Sequence, residues 1–127
     1  MYWAKDRLGE ERMKGAYAYK HLLKEYGKLA LGSDFPVEHF NPLYGFHAAV
    51  ARVDKKGYPS HGFQMQDAIS REDALKGMTI WAAYSCFQEK KRGSIEVGKD
   101  ADFVILEKDI LKIPNEQLRN VKTEPVS

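Results

Sequence analysis

Apolar residues fall at Tyr19, Leu22, Leu23 and Tyr26, the i, i+3, i+4, i+7 spacing of one helical face. Met13, Ala16 and Tyr17 extend that face toward the N-terminus. Glu10 and Glu11 favour a helix start, and Gly27 is a good residue just past a helix end. The spacing therefore predicts a helix from about Glu10 to Tyr26. Two residues later the helical period stops. Leu29-Ala30-Leu31 is apolar without polar alternation, as expected of a strand buried on both faces. Gly32 ends it, Asp34 stands just past that end, and Pro36 turns the chain away.

Asn41-Pro42 pairs a capping side chain with a residue at home in a first helical turn. A helix over 42–53 follows, with Leu43, Phe46, Val50 and Val53 on its apolar face. Residues 55–67 hold Gly57, Pro59 and Gly62 without any period, and read as a loop. Ser70-Arg71-Glu72-Asp73 resembles a capping box that opens a short helix through Lys76. Gly77 should interrupt it, and Thr79 should cap a second helix from Ile80 to Lys90. The pattern then turns to β: Asp102 to Leu106 reads as a strand after GSIEVGK. One helical turn after Pro114 and a short strand near Val121 complete the chain. A single strand in the first 90 residues cannot make a sheet alone, so these elements look like a piece of a larger architecture or a chain that needs a partner.

Composition narrows the class. The 127 residues are 43% hydrophobic and 30% charged, with net charge +2 and interspersed signs. This is the balance of one soluble globular unit, and it points to no nucleic-acid partner. No apolar run reaches roughly 18 residues, so no membrane span is expected. MYWAKDRLGEER lacks the basic and apolar regions of a signal peptide; the compartment is otherwise unspecified. Lys90-Lys91-Arg92 is expected to close the second helix at the negative end of its dipole. Cys86 is the only cysteine and, in an apolar run, is expected to be buried and inert.

The chemistry-bearing residues are few. His21, His39, His47 and His61 show none of the short spacings with which two histidines grip a metal. His21 and His47 lie on helices, where surface or boundary roles are expected, and His39 shares a loop with Asp34. Asp34 is a candidate base or metal ligand; read locally, it can equally cap its own turn or be an ordinary loop acid. Glu38 follows four residues later. No phosphate-binding glycine loop occurs, and neither Ser33 nor Cys86 lies in a nucleophile elbow.

Three stretches together resemble the C-terminal part of a metal-dependent amidohydrolase: RLGEERMKGAYAYKHLL, LALGSDFPVEHFNPLYGFHAAVARVD and SREDALKGMTIWAAYSCFQEKKRGSIEVGKDADFVILEKDI. The branch is amidohydrolase family 3, with the YtcJ-like enzymes and N-substituted formamide deformylases. GSDFPVE followed by NP is fairly specific to that branch, whereas GSIEVGKDADFVIL is shared across the superfamily. The resemblance implies an α/β fold: the last strand of a (β/α)8 TIM barrel with its helices, plus part of a small β-sandwich. Residues 1–92 would end the barrel and residues 93–127 would belong to the composite sandwich. Leu29–Leu31 would be the eighth strand.

By the same resemblance, Asp34 matches the acid after that strand, which contacts the metal and handles the proton of the attacking water. A divalent metal lowers the pKa of bound water from about 15.7 to roughly 7. The family's other metal ligands have no counterparts in this sequence, and a catalytic zinc needs about three protein ligands. The implied cofactor is a divalent metal, zinc by analogy, in the complete enzyme, with none retained by this chain alone. Arg12, Tyr17 and Arg52 also fit the family pattern and read as scaffold or pocket-wall residues. The implied activity is hydrolysis of amide or formamide C–N bonds in a small molecule, with the missing N-terminal barrel portion as partner. The alternatives are a non-catalytic remnant that self-associates or docks on a partner, and one half of a split enzyme. Leu22, Tyr26, Leu43 and Phe46 are the apolar side chains expected to be left uncovered.

Overall fold

The computed structural model describes residues 2–125; the outermost residues of the two-part division, Met1, Val126 and Ser127, lie outside them. Helix α1 spans Tyr2–Met13, α2 Tyr19–Tyr26, α3 Pro42–Ala51, α4 Arg71–Met78 and α5 Ile80–Ser85. Short 3₁₀ turns occupy Met65–Asp67 and Asn115–Asn120. Strands β1, Ile105–Leu106, and β2, Thr123–Glu124, form one antiparallel pair in which Ile105 faces Glu124 and Leu106 faces Thr123. The described residues thus form a mixed, mainly helical unit with a two-stranded sheet.

The predicted single helix over 10–26 is instead two helices. The first starts eight residues earlier, kinks at Gly9 (φ 73°) and ends at Met13. Its last carbonyls are diverted: the Gln64 side-chain amide donates to the carbonyls of Met13 at 3.1 Å and Lys14 at 3.2 Å. Tyr17 then adopts φ 56°, outside helical geometry. Helix α2 ends as expected, with Gly27 at φ 78° and its N–H donating to the Leu23 carbonyl at 2.7 Å.

Helix α3 begins where the sequence placed it. Asn41 Oδ1 accepts the Leu43 N–H at 3.0 Å, and Pro42 opens the helix. It stops at Ala51, two residues short of the expected end, because Arg52 turns left-handed at φ 56°. Leu43, Phe46 and Ala49 join Ile69, Ala74, Ile110, Leu118 and Val121 in the core. Two residues expected to face outward, Leu43 and Phe46, are therefore buried, while Leu22 and Tyr26 are exposed.

Ser70 caps α4: its Oγ accepts the Asp73 N–H at 3.0 Å and its hydroxyl donates to Asp73 Oδ2 at 2.8 Å. Gly77 does not interrupt this helix, which continues to Met78. The glycine serves close packing. A Cβ there would lie 2.8 Å from Leu31 Cγ and 2.9 Å from the Leu29 carbonyl oxygen. Thr79 makes no capping bond; its Oγ1 donates back to the Leu75 carbonyl at 2.7 Å.

Helix α5 is shorter than expected, ending at Ser85 rather than Lys90, and Phe87 takes φ 59°. Lys90-Lys91-Arg92 consequently closes no helix. Lys91 and Arg92 instead face Asp100, at 3.9 and 3.3 Å, and Arg92 also approaches Asp102 at 3.6 Å. With the helix cut short, Cys86 is exposed rather than buried. The expected strand over 102–106 narrows to Ile105–Leu106, extended by a bond from Glu107 N–H to the Lys122 carbonyl at 3.1 Å. No described helix is long and apolar enough to cross a membrane.

Candidate functional site

Leu29–Leu31 runs extended, but it pairs with no strand among the described residues. Its Leu31 N–H donates to the Gly77 carbonyl at 3.0 Å. Leu29 and Leu31 are half-buried against α4, and Ala30 is exposed. The expectation of a strand buried on both faces is thus corrected: one side packs on a helix and the other meets solvent.

The segment delivers the chain to a turn that starts at Asp34. Asp34 has φ 51°, a left-handed conformation that aspartate tolerates better than most residues. Its carbonyl accepts the Val37 N–H at 2.8 Å, closing the turn around a cis Phe35-Pro36 peptide. The carboxylate is exposed, and no cation among the described residues pairs with it. Of the two local readings, self-capping is not what is seen: the bond that closes the turn uses Asp34's backbone and leaves its side chain outward.

The far arm of the loop is held by rings. Phe35 and Phe40 meet edge to face at 6.0 Å, and His39 stacks on Phe40 at 4.4 Å with Tyr44 at 4.7 Å. His39 Nδ1 accepts the Asn41 N–H at 3.0 Å, which leaves Nε2 as the protonated nitrogen of the neutral ring. Phe35, Val37 and Phe40 are all exposed. The loop therefore combines an unpaired carboxylate with apolar side chains that no part of the described chain covers.

No group of three or more His, Cys, Asp or Glu side chains among the described residues could hold a metal ion. Asp34 is one carboxylate, and a protein-bound zinc needs about three protein ligands. The residues present do not make a metal centre by themselves.

Two residues away from this loop were underestimated from sequence. His47, expected near a surface or boundary, is only 4% exposed, and its Nδ1 bonds to no protein group. Burial, and then Arg119, push its pKa below the ordinary histidine value, against a smaller upward pull from Glu116. Its place on the α3 face one step from Phe46 was the available signal. Arg52 is also buried. It donates from Nε to the Phe63 carbonyl at 2.8 Å and from Nη1 to the Tyr17 carbonyl at 3.0 Å. Arg52 and Tyr17, both read as scaffold residues, are thus brought together. Arg12 is exposed and bonds its own helix, from Nε to the Leu8 carbonyl at 2.7 Å.

Comparison with known proteins adds a family. The family model described as "Amidohydrolase family" matches residues 1–126. The chain is 37% identical to the YtcJ amidohydrolase of Bacillus subtilis (strain 168) over 116 residues, covering 91% of this chain and 22% of that protein. It is 44% identical to the protein LONG AFTER FAR-RED 3 of Arabidopsis thaliana over 101 residues, 79% of this chain and 17% of that protein. An N-substituted formamide deformylase of Arthrobacter pascens is 27% identical over 113 residues, 89% of this chain and 20% of that protein. The chain thus spans about a fifth of the length of the curated relatives it matches. No solved structure matches it at a significant level.

Proposed function

Because the chain belongs to the amidohydrolase family, we propose that it is the C-terminal portion of a metal-dependent hydrolase of non-peptide C–N bonds. The family match and the formamide deformylase among the relatives support hydrolysis of C–N bonds in amide or formamide substrates. In this reading residues 1–92 end a (β/α)8 barrel and residues 93–127 belong to a composite β-sandwich. Leu29–Leu31 is the last barrel strand, α2 precedes it and α3 follows it.

The observation that carries the reading is the junction of Leu31 and Asp34. An extended apolar segment without strand neighbours leads into a turn that presents an unpaired carboxylate. Catalytic groups of α/β barrels lie on loops at the C-terminal ends of the strands. In the complete site Asp34 would be one of the ligands of the divalent metal, zinc by analogy, with the others supplied from outside this chain. Its carboxylate takes a proton from the attacking water as the C–O bond forms and returns it to the nitrogen as the C–N bond breaks. Water and amide become an acid and an amine, with no other reactant.

A second reading, association without catalysis, is favoured by a specific observation. Phe87, Ile95 and Val97 are almost fully exposed, and Phe103 and Val104 are also open to solvent. Such surface normally finds a partner. That partner is the missing barrel portion in the first reading, and a second copy or a separate N-terminal polypeptide in the second. An antibody against this chain separates them on the source cells. The first reading predicts a band several times heavier than 14.5 kDa. A band at that mass overturns it and leaves the remnant or split enzyme.

A further inference from the structure

We propose that the cavity between α3, the loop after Arg52 and the 3₁₀ turn Asn115–Asn120 is a binding site for a small oxyanion, a phosphate or carboxylate group. It has a volume of about 510 Å³ and is separate from the Asp34 turn, which contributes no lining residue. The proposal is independent of the hydrolase reading.

Charge is the first support. Lys55, Lys56 and Arg119 line the cavity, and none of the three forms an ion pair among the described residues. Arg119 instead lies 3.8 Å over the Tyr44 ring, which holds its guanidinium in place. Two acids share the lining, Asp54 and Glu116. The Asp54 carboxylate is engaged in its own turn, accepting the N–H groups of Lys56 at 2.7 Å and Tyr58 at 2.9 Å. Three fixed cations against one acid not tied into a turn give the concavity a positive field, which concentrates anions.

Bonding capacity is the second. His47 lines the same cavity and is more than nine-tenths buried, yet its Nδ1 bonds to no protein group. A buried polar atom left without a partner is costly, on the order of 1–3 kcal/mol. An oxyanion accepting from Nδ1–H supplies the partner, and its charge offsets the repulsion between the imidazole and Arg119.

The test is histidine NMR on the 127-residue chain, titrated with inorganic phosphate at fixed ionic strength with chloride as the exchanged ion. A saturable shift of the His47 ring resonances is expected. The pair Lys55→Gln and Lys56→Gln, both at exposed positions, should weaken binding about tenfold and leave the circular dichroism unchanged. His47→Phe should abolish the response at Arg119. Phenyl phosphate and acetate, titrated separately, tell a phosphate group from a carboxylate as the ligand. Absence of saturation with any of the three anions, or an affinity unchanged by the two lysine substitutions, overturns the site.

Discussion

The Arg52 guanidinium donates from Nη1 to the Tyr17 carbonyl at 3.0 Å, joining positions 35 residues apart. Its Nε holds the Phe63 carbonyl, and its plane lies about 5.5 Å from the rings of Tyr19 and Phe63. One side chain thereby fixes the break between α1 and α2 and the loop that follows α3. Burial lowers its pKa, with Asp67 and Tyr19 opposing, but a guanidinium stays charged at any working pH. Arg52→Lys loses the forked donors and should destabilise the fold by about 1–3 kcal/mol. Urea denaturation checks this, and an unchanged midpoint would show that the two carbonyls are held by other means.

Gly77 gives the complementary test at the other end of the site. In an isolated helix, glycine to alanine should stabilise by about 1 kcal/mol. Here the new methyl would sit 2.9 Å from the Leu29 carbonyl oxygen and 2.8 Å from Leu31 Cγ. Gly77→Ala should therefore destabilise by roughly 1–3 kcal/mol and loosen the segment that carries Asp34. Hydrogen exchange at the Leu31 amide should quicken, and a stabilised Gly77→Ala variant would contradict the packing.

His47 sets a pH dependence. Its folded pKa lies below the unfolded value of about 6.5. The unfolded chain thus takes up a proton first as pH falls, and stability drops below about pH 6.5 until the folded pKa is reached. The charged groups around the ring are Arg119 and Glu116 on the 3₁₀ turn, with Lys55, Lys56, His61 and Asp54 on the loop. In His47→Phe the loss between pH 6.5 and 5 should shrink, measured as the denaturation midpoint against pH. An unchanged slope would assign it to other groups.

Metal removal addresses the incomplete site. After dialysis this chain should hold no stoichiometric zinc, because one carboxylate falls short of the roughly three ligands required. Elemental analysis decides it. Retained zinc that disappears in Asp34→Ala would reveal ligands from a second copy.

What the sequence disclosed was local. Asn41 and Ser70 were legible as caps, and Gly27 as a helix end, because each acts within four residues of itself. The Asp34 turn was legible for the same reason, through Gly32 and Pro36. What failed depended on distance in sequence. Gly77 was read as a helix breaker because Leu29 and Leu31, which require it, lie more than 45 positions earlier. The helix break at Lys14 depends on Gln64, some 50 positions later. His47 looked peripheral because the turn that buries it begins at Asn115. The exposure of Cys86 follows from α5 ending at Ser85, and nothing nearby in the sequence marks that end.

The most direct test of Asp34 is Asp34→Asn in the native polypeptide that contains this chain, assayed on N-substituted formamides and simple amides. Asparagine suits the left-handed backbone at this exposed position, so stability should stay within about 0.5 kcal/mol. Loss of a proton-transferring carboxylate should cost at least about 100-fold in kcat. The account predicts that loss, with the melting temperature unchanged. Hydrolysis at the wild-type rate in Asp34→Asn would contradict it and remove this turn from the active site.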